Sequence, residues 1–475
     1  MADSICGGSE ILNLNSQIMI HIDPALTPAD LSAPLDRFFS LAKTKITAID
    51  REYDERKGSP VFTVGGKYST RGWTEWTEGF RYGIAILHFD ATGDEESLAS
   101  GRERTVRRMA THVSHSGVHD HGFNNLSTYG NLRRLMLEGR LAENEWERNF
   151  YELAIKTSGA VQAARWTVRQ GGGFIHSFNG PHSLFVDTIR SCRILMKAHQ
   201  LGHVLMAEGD KPVSLLDRAL QHIESTAQFS VFYGEGRDSY DERGRTTHEA
   251  IFNTTDGAYR CPNSQQGYTG FSTWTRGQAW AVLGFAEELE LLDELTDDEL
   301  DPFGGRAAIE AMMLKAATAT ADHFIENTPT CGVPYWDTGA PKLHLLGDYK
   351  NRPAEPINPH EPVDSSAAAI DAQGLLRLGT WLRKHGRAAE GDRYFQAGLA
   401  VARTLFAKPY LSTDESHHGL LLHSIYHQPN GWDHKPDPTK AAYGESSMWG
   451  DYHAMELAVY LQRLIHNKPY LTFFA

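Results

Sequence analysis

From about Leu35 onward, apolar residues recur at three- and four-residue intervals, in segments separated by loops rich in Gly, Pro, Asn and Asp. That period puts one face of a helix against a core. It predicts helices over 33–56, 76–95, 97–116, 127–142, 144–157, 184–203, 213–230, 271–295, 305–328, 364–387, 388–406 and 446–466. Asp364-Ser365-Ser366 stands before Ala-Ala-Ala-Ile, with side chains suited to accept the free N–H groups of a first helical turn. About twelve helices with hardly any alternating stretch argue for an all-α domain. Consecutive helices pair, which suggests a double ring, an (α/α)6 barrel. Helix counting alone does not separate this from a solenoid, although no clear sequence repeat supports the latter. The stretch 329–363, rich in Pro, Gly, Asn and His, reads as one long loop or hairpin excursion. No linker or charge block divides the chain, so we expect an N-terminal extension over 1–32 and a single barrel domain over 33–475.

Composition narrows the partners. The 475 residues are 41% hydrophobic, enough for a large buried core, and carry a formal net charge of −14. So acidic a surface repels nucleic acid and anionic membranes. Four scattered cysteines without a C-x-x-C pair read as free thiols of a reducing compartment. The N-terminus has no basic segment followed by an apolar one, and no stretch reaches membrane-spanning length, so a cytoplasmic location is expected. Several loops carry Trp, Tyr, His, Asn and Gln where simple Gly/Ser spacers would suffice: RGWTEWTEGF (71–80), VHDHGFNN (118–125), PNSQQGYTGFSTWTRGQAW (262–280), VPYWDTGAP (333–341) and SSMWGDYHAM (446–455). Aromatic faces stack on sugar C–H surfaces while amides and carboxylates bond hydroxyls, which suits a carbohydrate cleft. The same tryptophans could instead fill a large core.

Residues 112–131, HVSHSGVHDHGFNNLSTYGN, hold the densest set of chemical groups. The pair His119-x-His121 could open a zinc site, but no strand pattern precedes it and no H-E-x-x-H, calcium loop, phosphate loop or nucleophile elbow accompanies it. No metal is expected, and His112 and His115 read as bridges between helix ends. Asp120, in a His/Asn/aromatic loop, has hydroxyls or water as natural partners. Asp187 follows Leu184-Phe185-Val186 inside an apolar run that reads as helical. Burial there should raise its pKa and keep it protonated, as a general acid requires, with an ionised Asp120 raising it further. A helix-terminal carboxylate paired with Arg190 or Arg193 fits the spacing equally well.

At these residues the chain resembles the unsaturated glucuronyl hydrolases of glycoside hydrolase family 88 and, more distantly, the unsaturated rhamnogalacturonyl hydrolases of family 105. The resemblance is strongest in QGYTGFSTWTRGQAWAVLGFAEE (266–288), with WTEGF (76–80), HDHGF (119–123), VDTIRS (186–191), AHQLGH (198–203), GVPYWD (332–337), DSSAAAI (364–370), GLLLH (419–423) and MWGDY (448–452) in support. It implies an (α/α)6 barrel that removes a 4,5-unsaturated uronate from lyase-generated oligosaccharides without metal or cofactor. It also implies Asp187 as general acid/base and Asp120 as a second essential aspartate beside His119. Substrate contacts would carry over to Trp76, His248, Gln266, Trp274, Arg276 and Trp280, with Arg276 or His248 offsetting the substrate carboxylate. Two positions depart from the pattern: Gln265 stands where a histidine is expected, and Phe178 where a tryptophan is expected. Two other classes remain open at this point, an (α/α)6 sugar epimerase using His119, His248 and His423, and a non-catalytic oligosaccharide-binding protein.

Overall fold

The computed structural model describes residues 20–72 and 75–469. Its helical segments are α1 (Ser32–Glu52), α2 (Glu78–Thr92), α3 (Glu95–Arg108), α4 (Ala110–Val113), α5 (His121–Asn125), α6 (Asn131–Leu137), α7 (Glu145–Ala164) and α8 (Thr188–Ser191). They continue as α9 (Arg193–Gln200), α10 (Leu215–Phe229), α11 (Thr275–Leu292), α12 (Asp297–Leu300), α13 (Arg306–Asn327), α14 (Ser365–Lys384), α15 (Ala388–Leu405) and α16 (Met448–Ile465). The helices α2, α5, α8, α11, α14 and α16 form a closed inner ring, each touching the next and α16 returning to α2. Outside it, α1 and α3 pack on α2, α7 and α10 on α9, α13 on α11, and α15 on α14. Closure of the inner ring makes this an (α/α)6 barrel, as expected.

Side-chain pattern follows ring position. In α1 the buried residues Leu35, Phe38, Phe39, Ala42, Ile46 and Ile49 lie on one stripe, as an outer helix requires. In α11 and α14 nearly every position is buried, so the apolar stripe disappears into a continuous apolar run. Where inner helices meet closely, glycine supplies the room. A Cβ on Gly122 would lie 2.3 Å from the Ser191 carbonyl oxygen, and one on Gly374 would lie 2.8 Å from the Leu283 nitrogen. Buried charges cross the ring as well. Arg190 pairs with Glu287 (3.1 Å) and Glu456 (2.6 Å), and Arg193 pairs with Glu287 (2.9 Å), tying α8 and α9 to α11 and α16.

The chain departs from the helical reading where burial hides periodicity. The segment 184–203 begins as a strand, Ser183–Phe185, paired antiparallel with Glu249–Ile251, and turns into α8 only after Asp187. Leu184, Phe185, Val186 and Ile189 are all buried, so no alternation marks the strand in the sequence. The helix expected over 97–116 ends at Arg108 and restarts as α4, and the one over 127–142 opens as a π-turn, Leu126–Gly130, and ends with α6 at Leu137. The stretch 329–363 is a long loop with short 3-10 turns, pinned by the Trp336 indole N–H donating to Glu361 (2.7 Å). Residues 1–19 of the expected extension lie outside the described residues. Ile20, Leu26 and Leu31 are buried, and the Ile20 N–H donates to Ile325 O at the end of α13 (3.3 Å). Among the described residues, no helix is long and apolar enough to cross a membrane.

The Gly122 contact sets the approach of α5 to α8, the two helices that follow Asp120 and Asp187. Replacing Gly122 by Ala is expected to destabilise the fold by about 1–3 kcal/mol through overpacking. A urea denaturation midpoint equal to that of the wild type would show that this seam is not tightly packed.

Candidate active site

A cavity of about 800 Å³ opens at one end of the inner ring. Asp120 stands immediately before α5 and Asp187 immediately before α8, so two helix starts aim carboxylates into the same space. Both are buried, at 7% and 8% exposure, and His119 between them is buried at 2%. The His119 Nε2 lies 3.3 Å from Asp187 Oδ1, within hydrogen-bond distance, and 3.6 Å from Asp120 Oδ1. On the other side of Asp187, His248 Nε2 lies 4.0 Å from Oδ2. His248 Nδ1 accepts the backbone N–H groups of Gln265 (3.0 Å) and Gln266 (3.2 Å), which leaves the ring proton on Nε2, toward Asp187.

The electrostatics overturn the sequence expectation at Asp187. Burial pushes the Asp120 carboxyl up to about 6, with Asp187 adding to the rise and His119 opposing it. Burial also works to raise Asp187, but the His119 hydrogen bond and charge, with His248 and Arg276, outweigh it and hold Asp187 below the ordinary carboxylate range. His119 rises above the usual histidine value because Asp120 and Asp187 outweigh its burial. His248 is pushed down to about 4 by burial and stays neutral. Asp187 was expected to hold the proton and Asp120 to be ionised. The shifts at Asp187 and at His119, 3.3 Å away, instead both favour a carboxylate facing an imidazolium. The physical reason is a cation that only the fold brings to Asp187. Three groups this close titrate as a unit.

The histidine motif divides between two tasks. His121 turns away from the cavity, with Nδ1 against Ser158 Oγ (2.7 Å) and Nε2 against His115 O (2.9 Å), so the H-x-H pair does not converge. His112 meets the Asn124 amide, bridging helix ends as expected. Arg190 and Arg193 engage glutamates, and neither is the partner of Asp187.

The remaining predicted site residues gather around the same cavity: Trp76, Phe178, Gln266, Trp274, Arg276 and Trp280, with Gln265 beside them. Phe178, 45% exposed, stacks over His119 at 6.0 Å and 16°, at the cavity mouth. Arg276 corrects an expectation. Its guanidinium is buried and donates to Asp364 (2.6 Å), Tyr426 O (2.7 Å), Gln266 Oε1 (3.0 Å) and Ile425 O. Its charge is paired with Asp364, and His248 is neutral, so neither stands as a free cation beside the cavity. His423, which an epimerase reading would need, lies outside the cavity lining and accepts the Gly444 N–H through Nδ1 (3.2 Å).

One wall was missed. Tyr426, His427, Asn430 and Trp432 line the cavity from a loop whose sequence, HSIYHQPNGW (423–432), has the same aromatic and amide composition as the loops singled out above. That composition was the available signal.

No family model matches the chain. It is 27% identical over 412 residues to the unsaturated glucuronyl hydrolase of Bacillus sp. (strain GL1), a match covering 84% of this chain and 89% of that protein. It is 24% identical over 396 residues to the unsaturated glucuronyl hydrolase of Formosa agariphila, covering 82% of this chain and 81% of that protein. Over most of its length the chain is similar to unsaturated glucuronyl hydrolases. The crystal structure of the Bacillus sp. GL1 unsaturated glucuronyl hydrolase superposes with a TM-score of 0.66 at 23% identity, covering 90% of this chain and 97% of that one. At the mouth of this barrel, Asp120 and Asp187 meet across one imidazole.

That arrangement makes His119 sensitive to its neighbours. An anion within about 4 Å favours the imidazolium, so removing it must lower the imidazole pKa. In Asp120→Asn the His119 ring is expected to titrate about one pH unit or more lower than in the wild type. Ring proton signals followed by NMR across the pH range read this directly. An unchanged midpoint would show that Asp120 does not act on His119.

Proposed function

We propose that this chain removes a 4,5-unsaturated uronate from the non-reducing end of small lyase-generated oligosaccharides, with Asp187 as acid/base. The observation that carries the reading is the buried Asp187–His119 pair, 3.3 Å apart, in a cavity walled by Trp76, Trp274, Trp280 and Phe178. Similarity to proteins named unsaturated glucuronyl hydrolase and unsaturated chondroitin disaccharide hydrolase supports it.

The chemistry follows from the substrate. The C4=C5 bond is a vinyl ether, protonated at C4 because the ring oxygen stabilises the cation that develops at C5. In the free site the proton rests on His119. A sugar that enters the cavity expels water, and desolvation favours the neutral form of a carboxylate–imidazolium pair over the charged one. The proton therefore crosses from His119 Nε2 to Asp187 Oδ1, and Asp187 becomes the acid that the reaction needs. Asp187 then donates to C4 and, as carboxylate, takes a proton from the water that attacks C5. The resulting hemiketal opens, and the hemiacetal left at C1 releases the reducing-side sugar. No bond to the anomeric carbon is made, so the rule relating carboxylate separation to retention or inversion does not apply. Asp120 anchors a sugar hydroxyl and holds His119 charged before substrate arrives. His248 directs a neutral N–H toward Asp187, and Gln266, with its oxygen held by Arg276, presents amide N–H groups to the uronate.

The described cysteines Cys192, Cys261 and Cys331 are unbonded, which supports a cytoplasmic location. We assign the catalysis to a single barrel domain over 33–475.

Incubation with a lyase-generated unsaturated disaccharide is expected to abolish the ultraviolet absorbance of the double bond. Asp187→Asn should slow this by about 10²–10⁴-fold, because the amide keeps the shape but transfers no proton. Turnover of the variant within about tenfold of wild type, roughly 1.4 kcal/mol of barrier, would remove Asp187 from this role. Binding without any loss of absorbance by the wild type would make the chain a sugar-binding protein instead.

A further inference from the structure

The hydrogen-bonded wall of the cavity continues one layer behind it. Asp364, at the start of α14, is fully buried and does not line the cavity. One of its oxygens caps α14, accepting Ser366 N–H (3.0 Å) and Ser366 Oγ–H (2.5 Å). The other accepts Arg276 Nη1–H at 2.6 Å. Arg276 passes on the constraint, donating from Nη2 to Gln266 Oε1 (3.0 Å) and Tyr426 O (2.7 Å), and its guanidinium lies 4.6 Å from the Trp274 ring centroid. Capping the helix occupies only one acceptor oxygen of Asp364. The second oxygen, aimed at a buried guanidinium, points to a separate task.

We propose that Asp364 is a positioning residue of the cavity: it keeps the Arg276 guanidinium as a charge-balanced pair and, through Arg276, turns the Gln266 amide so that its N–H groups face the sugar. The Gln266 half rests on the reading given under Proposed function; the charge-balance half does not.

The charge argument runs through Asp187. That carboxyl is faced by His119 and Asp120 from the loop before α5, by His248 beside the strand Glu249–Phe252, and by Arg276 from α11. Arg276 is faced in turn by Asp364 and, from the 426–433 loop, by His427 and Asp433. Asp433 already accepts the Tyr426 (2.6 Å) and His427 (2.9 Å) backbone N–H groups. Asp364 is the carboxylate in direct contact with the guanidinium. Without its charge, Arg276 acts as a net cation near Asp187, which favours the ionised form of that carboxyl. Asp187 then holds a proton less readily.

The test compares Asp364→Asn, Asp364→Glu and the double variant Asp364→Asn/Arg276→Gln with the wild type. The readout is the carboxyl carbon-13 signal of Asp187, assigned by its disappearance in Asp187→Asn and titrated in the free protein. Asp364→Asn should lower the Asp187 midpoint by about half a pH unit or more, roughly a threefold loss of proton affinity. Asp364→Glu should leave the midpoint near wild type, and the double variant should return it there. On an unsaturated disaccharide, Asp364→Asn should also raise KM, because Gln266 is no longer held. A folded Asp364→Asn protein with an unmoved midpoint and KM would reduce Asp364 to a helix cap and overturn the proposal. If Asp364→Asn does not fold, Arg276→Gln against the double variant gives the same comparison, and the double variant must then show the lower midpoint; equal midpoints overturn the proposal. The titration uses no substrate, so inactivity on unsaturated sugars would count against the proposed function without touching it.

Discussion

Placing two carboxylates and an imidazole out of water within 3.6 Å of one another is the constraint on which the rest of this structure depends. An isolated buried carboxylate would neutralise, and two of them side by side could not both ionise. His119 resolves the conflict by carrying one positive charge between them. On the function proposed above, the proton held on nitrogen in the free site is delivered to Asp187 when a sugar expels water.

The barrel supplies the rigidity this demands. Asp120 and Asp187 each stand where irregular chain becomes helix, and α5 and α8 are pressed together at Gly122 and Ser191. Below them, Arg190 and Arg193 bind Glu287 and Glu456 across the ring. Buried ion pairs of this kind contribute little net stability, yet breaking one leaves an unpaired charge and is costly, which disfavours alternative packings of the inner helices. The same logic governs Arg276, whose pairing with Asp364 keeps a further cation from dominating the Asp187 environment.

Helical period and caps made the double ring legible, because outer helices such as α1 carry a one-sided apolar stripe. The strand before Asp187 was hidden because Leu184, Phe185 and Val186 are buried on all sides, and a uniformly apolar run has no period to read. At the site, residue types were legible and their electrostatic partners were not. Asp120 and Asp187 could be singled out from their local surroundings, but the sign of the Asp187 shift depends on His119, 68 positions away. Arg276 could be placed at the site, whereas its engagement by Asp364, 88 positions away, could not be foreseen. The wall from Tyr426 to Trp432 carries the aromatic and amide composition of the other site loops but no motif.

The central claim is that the reaction belongs to the double bond and not to the anomeric carbon. It is tested most directly by offering the enzyme two disaccharides that differ only in C4–C5, one unsaturated and one saturated. Release of the reducing-side sugar from the unsaturated compound alone is the predicted result. Release from both at comparable rates would contradict the account, because direct displacement at the anomeric carbon would then explain the activity without any proton reaching C4.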